Sequence, residues 1–185
     1  MDINIKYNNY YENVIENFKF FKNPCPKCGS NEYLIRYGFY LRNLCILDED
    51  EFKNIKINIQ RVYCKYCECT HAILPIEAIP YCYYSLNCVL QVLTKYYSGE
   101  DTVEEIVDKY SITQKLIYIF VAKYIAHTRY IIDFLRIFFH MDLTNETSPK
   151  IIKETFLAKF KDYSILKLFF NCSNIFLIYK MAIKI

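Results

Sequence analysis

Two short stretches, Cys25-Pro26-Lys27-Cys28-Gly29 and Cys64-Lys65-Tyr66-Cys67, decide the fold of this 185-residue chain. In each stretch two residues separate the cysteines, so both thiolates can reach one metal ion from a single tight turn. Two such turns supply the four ligands of a closed tetrahedral site, which is typical of structural zinc. The sequence therefore predicts one Zn²⁺ ion held by Cys25, Cys28, Cys64 and Cys67.

Other residues near these turns are alternative ligands. His71 could replace one sulfur, and Cys45 is a further candidate, whereas Cys69 follows Cys67 too closely to bind comfortably as a fifth partner. Four sulfurs already satisfy zinc, and a disulfide inside a C-x-x-C turn would be strained. The cysteines in apolar surroundings are expected to be small core side chains: Cys82, Cys88 and Cys172.

Composition predicts a folded protein in a reducing compartment. Hydrophobic residues make up 54% of the chain, which excludes a disordered polar segment. Residues 1–6 lack the basic and apolar regions of a secretory signal, and nine cysteines without that signal fit metal-bound thiolates in the cytoplasm. The net charge of +3 arises from residues 81–185, which weakly favours a polyanionic partner there.

The region 1–80 is predicted to be a zinc ribbon with a leader helix. Residues 32–37, Gly38 as a bulge and residues 39–47 form an extended segment, and the alternation over 55–59 indicates a second strand. The acidic run 48–51 is expected to be the solvated tip of the hairpin. We expect the leader helix to bury one stripe of aromatic and apolar side chains. This stripe consists of Tyr10, Val14, Phe18 and Phe21.

The region 81–130 is predicted to be a helix-turn-helix that follows an extended linker at 72–84. Ser85, Thr102 with Glu105, and Thr113 (or Ser111) are the predicted helix caps. In a helix-turn-helix the start of the last helix enters the major groove of DNA. The residues predicted to contact DNA share that position: Thr113, Gln114, Lys115, Tyr118 and Lys123.

The region 131–185 is predicted to be helical, with a continuation to about 139 and two helices near 149–161 and 163–181. Charged and amide residues interrupt its apolar runs, so a membrane span is not expected. A buried role or a homodimer contact is expected instead. The fold class is thus α+β: an N-terminal zinc ribbon with a small antiparallel sheet, an all-α helix-turn-helix, and C-terminal helices.

These motifs together resemble a bacterial family of short transposase-related proteins, common in clostridia, whose domain has no known function. The resemblance covers about residues 20–130. It is carried by the first cysteine turn and by residues 36–42 (RYGFYLR), 61–75 (RVYCKYCECTHAILP) and 102–118 (TVEEIVDKYSITQKLIY). It implies a zinc ribbon and helix-turn-helix that dock on DNA. Ser111 and Glu68 depart from the pattern, since each stands where such turns often have glycine.

No catalytic constellation is found in the sequence. A transposase nuclease needs three converging carboxylates, and the acidic residues after the helix-turn-helix are scattered: Asp133, Asp142, Glu146, Glu154 and Asp162. A zinc deaminase needs an upstream H-x-E, which is missing here. We therefore expect a zinc-stabilised DNA-binding protein without its own nuclease. The alternatives are a ribbon adaptor for protein contacts and a rubredoxin-like iron carrier.

Overall fold

The computed structural model describes residues 3–17, 23–144 and 147, and isolated positions between 151 and 180. Over this part the chain is an α+β protein, as predicted. Its helices and strands are, in order, α1 (Ile3–Asn17), β1 (Leu34–Asp48), β2 (Glu51–Cys64), β3 (Cys69–Ala72), α2 (Leu86–Ser98), α3 (Val103–Tyr110), α4 (Gln114–Phe139), β4 (Ile175–Phe176) and β5 (Tyr179–Lys180).

A long antiparallel hairpin of β1 and β2 is the frame of the ribbon. β3 adds to the other side of β2, which gives the order β1-β2-β3. The register shifts between Arg36 and Gly38, so Tyr37 is the extra residue of a bulge, and Gly38 has a φ of 149° that favours glycine. Glu49 and Asp50 both have positive φ, as in the type I′ turns that match strand twist.

The buried face of the hairpin changes along its length. Ile55, Ile57 and Ile59 are fully buried and alternate with exposed residues, which confirms the predicted strand. Val62 and Cys64 are also buried, but Val62 is an odd number of residues from Ile59 and so lies on the opposite face. Near the turn the hairpin packs through both faces, because Cys45 and Phe52 lie opposite Ile55 and face the helices, whereas in the cysteine half the buried residues lie on the face of Val62.

Helix α1 covers the edge of β2 beyond the short strand β3. The Asn8 side chain donates to the carbonyl of Lys56 at 3.0 Å and accepts from the amide of Asn58 at 3.2 Å. Tyr11 accepts from the amide of Gln60 at 3.1 Å and donates to the carbonyl of Ile73. An unpaired strand edge invites aggregation, and here helix side chains satisfy it.

The predicted buried face of the leader helix was wrong. Tyr11 and Ile15 are buried against the sheet, whereas Tyr10 is 51% exposed. The Tyr11 hydroxyl accepts a hydrogen bond from the Gln60 amide at the strand edge. With this contact, Tyr11 faces the sheet in place of its neighbour Tyr10. Phe18 and Phe21 lie outside the described residues.

The segment 73–84 is a packed part of the core rather than the predicted linker. Glu77, Ala78 and Ile79 are buried. The Arg42 guanidinium donates to the carbonyls of Ile79 at 2.6 Å and Cys82 at 2.7 Å. This segment contains the prolines that suggested a linker, and it packs against β1. There a short parallel bridge joins Cys45 to Tyr84.

Helices α2, α3 and α4 form a second apolar core, and their predicted caps are confirmed. Ser85 caps α2, Thr102 forms a capping box with Glu105, and Thr113 caps α4. The buried side of α4 contains Ile117, Phe120, Val121 and Tyr124, with Leu116 partly buried. Ser111 has a φ of 51°, so the short connection between α3 and α4 is left-handed at the position where glycine was expected.

The acidic hairpin turn is exposed, as predicted, and one of its residues also contacts the helices. Glu49, Asp50 and Glu51 are all exposed. Asp50 accepts hydrogen bonds from Gln91 at 2.5 Å and Tyr110 at 3.1 Å and forms an ion pair with Lys109. Phe52 stacks on the Tyr110 ring with centroids 4.4 Å apart. The solvated tip is confirmed, but the sequence did not predict the partners of Asp50, which two distant helices supply.

The C-terminal region departs from the helical prediction where it is described. Ile175–Phe176 and Tyr179–Lys180 pair as two short antiparallel strands, so the predicted helix near 163–181 does not run through them. Ile, Phe and Tyr are residue types that favour strands. Most of the predicted helix near 149–161 lies outside the described residues. Within the described part of the chain, no helix combines the length and apolar character needed to span a membrane.

Candidate metal centre

The two cysteine turns have the same backbone construction. The amide of Gly29 donates to the Cys25 carbonyl at 2.8 Å, and the amide of Glu68 donates to the Cys64 carbonyl at 2.9 Å. Gly29 and Glu68 both have left-handed φ values, 72° and 58°. Glu68 thus takes the conformation that glycine takes in the first turn, which explains why glycine was expected there.

The four sulfur atoms converge. All lie within 4.8 Å of one another, although two come from a loop before β1 and two from the end of β2. The sulfurs of Cys25 and Cys67 are 3.6 Å apart, and those of Cys28 and Cys64 are 3.8 Å apart. A tetrahedral site with metal–sulfur bonds of about 2.3 Å has sulfur separations of about 3.8 Å. A disulfide needs about 2.05 Å, so these distances fit a metal ion.

The surroundings shift the pKa values of three of these thiols in different directions. The Ser30 hydroxyl and amide lower the pKa of Cys28 to about 6, whereas partial burial raises the pKa of Cys67 to about 12. Burial also raises the pKa of Cys25. Four close sulfurs cannot all ionise without a compensating cation, and a bound metal would displace the remaining protons.

His71 and Cys69 lie beside the sulfur cluster rather than in it. His71 Nε2 is 3.3 Å from the Cys25 sulfur, and the Lys27 ammonium donates to the Cys69 sulfur at 2.8 Å. Burial, with a smaller effect of Lys27, lowers the pKa of His71, so its ring is neutral at pH 7. A neutral imidazole against a ligand sulfur can orient that ligand, as outer-shell partners do. The Cys45 sulfur is not part of the cluster.

The sequence offered His71 as a possible replacement ligand, but it did not predict the place of His71 beside Cys25 or the contact between Lys27 and Cys69. His71 pairs with Val62 across β2 and β3, and Val62 is on the same face as Cys64. This register would have placed the imidazole on the metal side of the ribbon. The sequence alone does not predict this register, because the four-residue strand β3 is too short to be recognised from alternating apolar and polar residues.

The residues predicted to contact DNA lie together at the start of α4. Thr113, Gln114, Lys115, Tyr118 and Lys123 are all exposed. Gln114 donates to the Tyr118 hydroxyl at 3.2 Å, and these two residues line a surface depression with Lys115, Ile119 and Ala122. The arrangement presents an amide, a phenol and an ammonium group on one side of the helix.

Comparison with known proteins locates one family in the middle of the chain. Residues 25–114 match the family described as "Domain of unknown function (DUF6431)". The match begins at the first metal-turn cysteine and ends at the first residue of α4. Comparisons with curated proteins and with solved structures find no match. The predicted transposase relation and clostridial origin therefore remain predictions.

Proposed function

We propose that this chain is a zinc-stabilised DNA-binding protein that resembles the DNA-recognition part of transposases. The observation that carries the proposal is the convergence of four cysteine sulfurs within 4.8 Å. All-sulfur tetrahedral sites suit zinc or iron–sulfur chemistry. We propose zinc because a closed site of four cysteines is typical of structural zinc.

The DNA half of the proposal is supported by the helices that follow. α3 and α4 are joined by Ser111, Ile112 and Thr113 only, and the first turns of α4 are exposed. Gln114 can pair with adenine in the major groove, and Lys115 can reach guanine or phosphate. From Thr113 to Tyr130 there is no acidic residue, so this helix attracts a polyanion.

The proposal assigns recognition and not catalysis to these 185 residues. Of the five carboxylates considered for a nuclease, Asp133, Asp142 and Glu154 are exposed, and Glu146 and Asp162 lie outside the described residues. Among described residues the group able to hold a metal consists of cysteines. The homodimer contact through C-terminal helices also remains a prediction.

Metal analysis tests the first half. Purified protein is expected to bind one colourless zinc ion per chain, and Cys64→Ser is expected to lose it. Cys69→Ser is the matched control, because Cys69 is a cysteine of the same ribbon outside the cluster. Red, iron-loaded protein would instead support the rubredoxin-like alternative, and equal zinc in Cys64→Ser would remove the four-sulfur site.

A duplex DNA titration at two salt concentrations tests the second half. Gln114→Ala with Lys115→Ala is expected to weaken binding, and the salt dependence should decrease because one phosphate or base contact is lost. Glu104→Ala, on the exposed side of α3, is the control. A metal-loaded protein that binds no duplex at low salt would favour the adaptor alternative.

A further inference from the structure

The cysteine half of the ribbon carries four tyrosines, Tyr33, Tyr37, Tyr63 and Tyr66, here termed the aromatic platform. Tyr66 is 66% exposed, Tyr37 58% and Tyr33 46%. The rings are arranged in pairs: Tyr37 stacks on Tyr63 with centroids 5.6 Å apart, and Tyr33 meets Tyr66 at 5.7 Å. These rings form a surface instead of filling the ribbon core.

The strand that ends at Cys64 also holds Tyr63 of the platform. Val62 and Cys64 are buried on one face of β2, so Tyr63 between them lies on the other face. The Lys65 amide donates to the Tyr33 carbonyl at 3.0 Å, which fixes the second ring pair beside the metal turn. A ligand can therefore contact the platform without displacing the cysteine sulfurs.

Cationic groups border the rings. The Arg61 guanidinium lies 5.4 Å from the centroid of the Tyr37 ring, and Arg61 donates to the Thr70 hydroxyl at 2.8 Å. Lys65 is exposed in the turn directly after this strand. These contacts hold a positive charge in a defined place beside an exposed aromatic face.

Charge is divided along the hairpin. In the cysteine half of the hairpin, residues 24–41 and 58–72 contain four Lys or Arg residues and two acids, Glu32 and Glu68, whereas the turn 48–51 contains four acids in succession. A zinc ion with four thiolates would carry two negative charges and would offset this excess. The positive charge offered to an anion at the platform is therefore that of Arg61 and Lys65 beside the rings, and the acidic turn lies at the far end of the hairpin.

We propose that the aromatic platform binds single-stranded nucleic acid, with bases stacked on the tyrosines and phosphates near Arg61 and Lys65. Exposed rings interleaved with cations are the features used for sequence-tolerant single-strand binding. The exposed apolar residues Leu41 and Phe39 do not extend the platform, because they lie on the other face from Tyr63: Phe39 pairs with Gln60, which shares a face with Val62. This site is separate from the duplex surface proposed on α4.

The test is fluorescence anisotropy of the full-length, metal-loaded chain with a labelled 20-nucleotide oligo(dT). The double variant Tyr37→Leu/Tyr66→Leu is expected to weaken binding about tenfold or more, since each lost base stack has a large effect. Tyr37→Phe/Tyr66→Phe keeps both rings and should bind within about twofold of the wild type. Phe39→Leu removes an equally exposed ring from the opposite face and should leave binding unchanged. Zinc content and circular dichroism verify that each variant is folded.

Several outcomes would overturn the platform. They are absent binding of oligo(dT) by the wild type, full affinity in the double Leu variant, or an equal loss in Phe39→Leu. If the wild type does not bind oligo(dT) but forms dimers, and the double Leu variant does not, the surface would instead bind a second copy of the chain. The Gln114→Ala/Lys115→Ala variant separates the two proposals, because it should lose duplex binding and keep oligo(dT) binding.

Discussion

The Tyr110 hydroxyl donates a hydrogen bond of 3.1 Å to the Asp50 carboxylate, which joins the end of α3 to the turn of the ribbon hairpin. The two residues are 60 positions apart in the sequence. Gln91 from α2 and Lys109 from α3 bind the same carboxylate. Asp50 is therefore the polar link between the ribbon that carries the four cysteines and the helices.

Asp50→Ala is expected to lower the free energy of unfolding by about 1 kcal/mol. The carboxylate is half-exposed, so its ion pair contributes little, and most of the loss comes from the bonds of Gln91 and Tyr110. Chemical denaturation measures the change. Glu49→Ala removes a neighbouring acid from the same turn and should change stability much less; an equal loss in both variants would show that only turn charge matters.

The contacts of the Asp50 carboxylate should make the stability gained from packing the hairpin turn on the helices sensitive to acid. The hydrogen bond from Lys109, followed by the effects of Tyr110 and Gln91, lowers the pKa of Asp50 below its usual value. The stabilisation is thus complete above the unfolded pKa of about 4 and is lost as pH falls through the lower folded value. The difference in stability between wild type and Asp50→Asn, followed by denaturation between pH 6 and pH 2, should shrink on acidification. A constant difference would contradict this.

Tyr11→Phe is expected to destabilise the ribbon by about 1–2 kcal/mol, because the buried Gln60 amide loses its acceptor and the Ile73 carbonyl its donor. Burial raises the pKa of Tyr11 to about 12, so the hydroxyl is protonated in the wild type at neutral pH. Thermal unfolding measures the loss. Tyr33→Phe, which removes the hydroxyl of an exposed tyrosine of the same ribbon, should have little effect, and similar losses in both would weaken the role of the covered strand edge.

Substitution of the residue after the second cysteine should change stability by different amounts in the two cysteine turns. Gly29→Ala should cost about 1 kcal/mol through its left-handed backbone alone, since a Cβ there would meet no atom within 4 Å. Glu68→Gly should be close to neutral, because relief of the same strain offsets the added freedom of the unfolded chain. Denaturation of zinc-loaded variants tests both, and a harmless Gly29→Ala would contradict the left-handed turn.

Removal of the metal should unfold the ribbon before the helices. The buried residues form two clusters, one around β1 and β2 and one around α2, α3 and α4. After chelation, hydrogen exchange should accelerate in β2 at Ile55–Cys64 and change much less in α4 at Ile117–Tyr124. Cys69→Ser should behave as the wild type. Unchanged exchange in β2 after verified metal loss would show that the ion does not stabilise the sheet.

Sequence alone determined the features that depend on short-range patterns. The cysteine turns, the alternating strand at Ile55–Ile59, and the caps at Ser85, Thr102 and Thr113 each depend on residues within a few positions. Their chemistry is local, because a cap or a two-residue turn is satisfied by its immediate neighbours. The four predicted metal ligands could be named for the same reason.

Only the tertiary structure decided which surfaces meet. The rotation of α1 that buries Tyr11, the packing of residues 73–84 on β1, the change of buried face after Ile59, and the partners of Asp50 all join positions far apart in the chain. Hydrophobic periodicity predicts that a side chain is buried, but it does not predict which residues that side chain packs against. The partner is set by the fit of whole elements, because each buried polar group must find a donor or acceptor in the assembled fold.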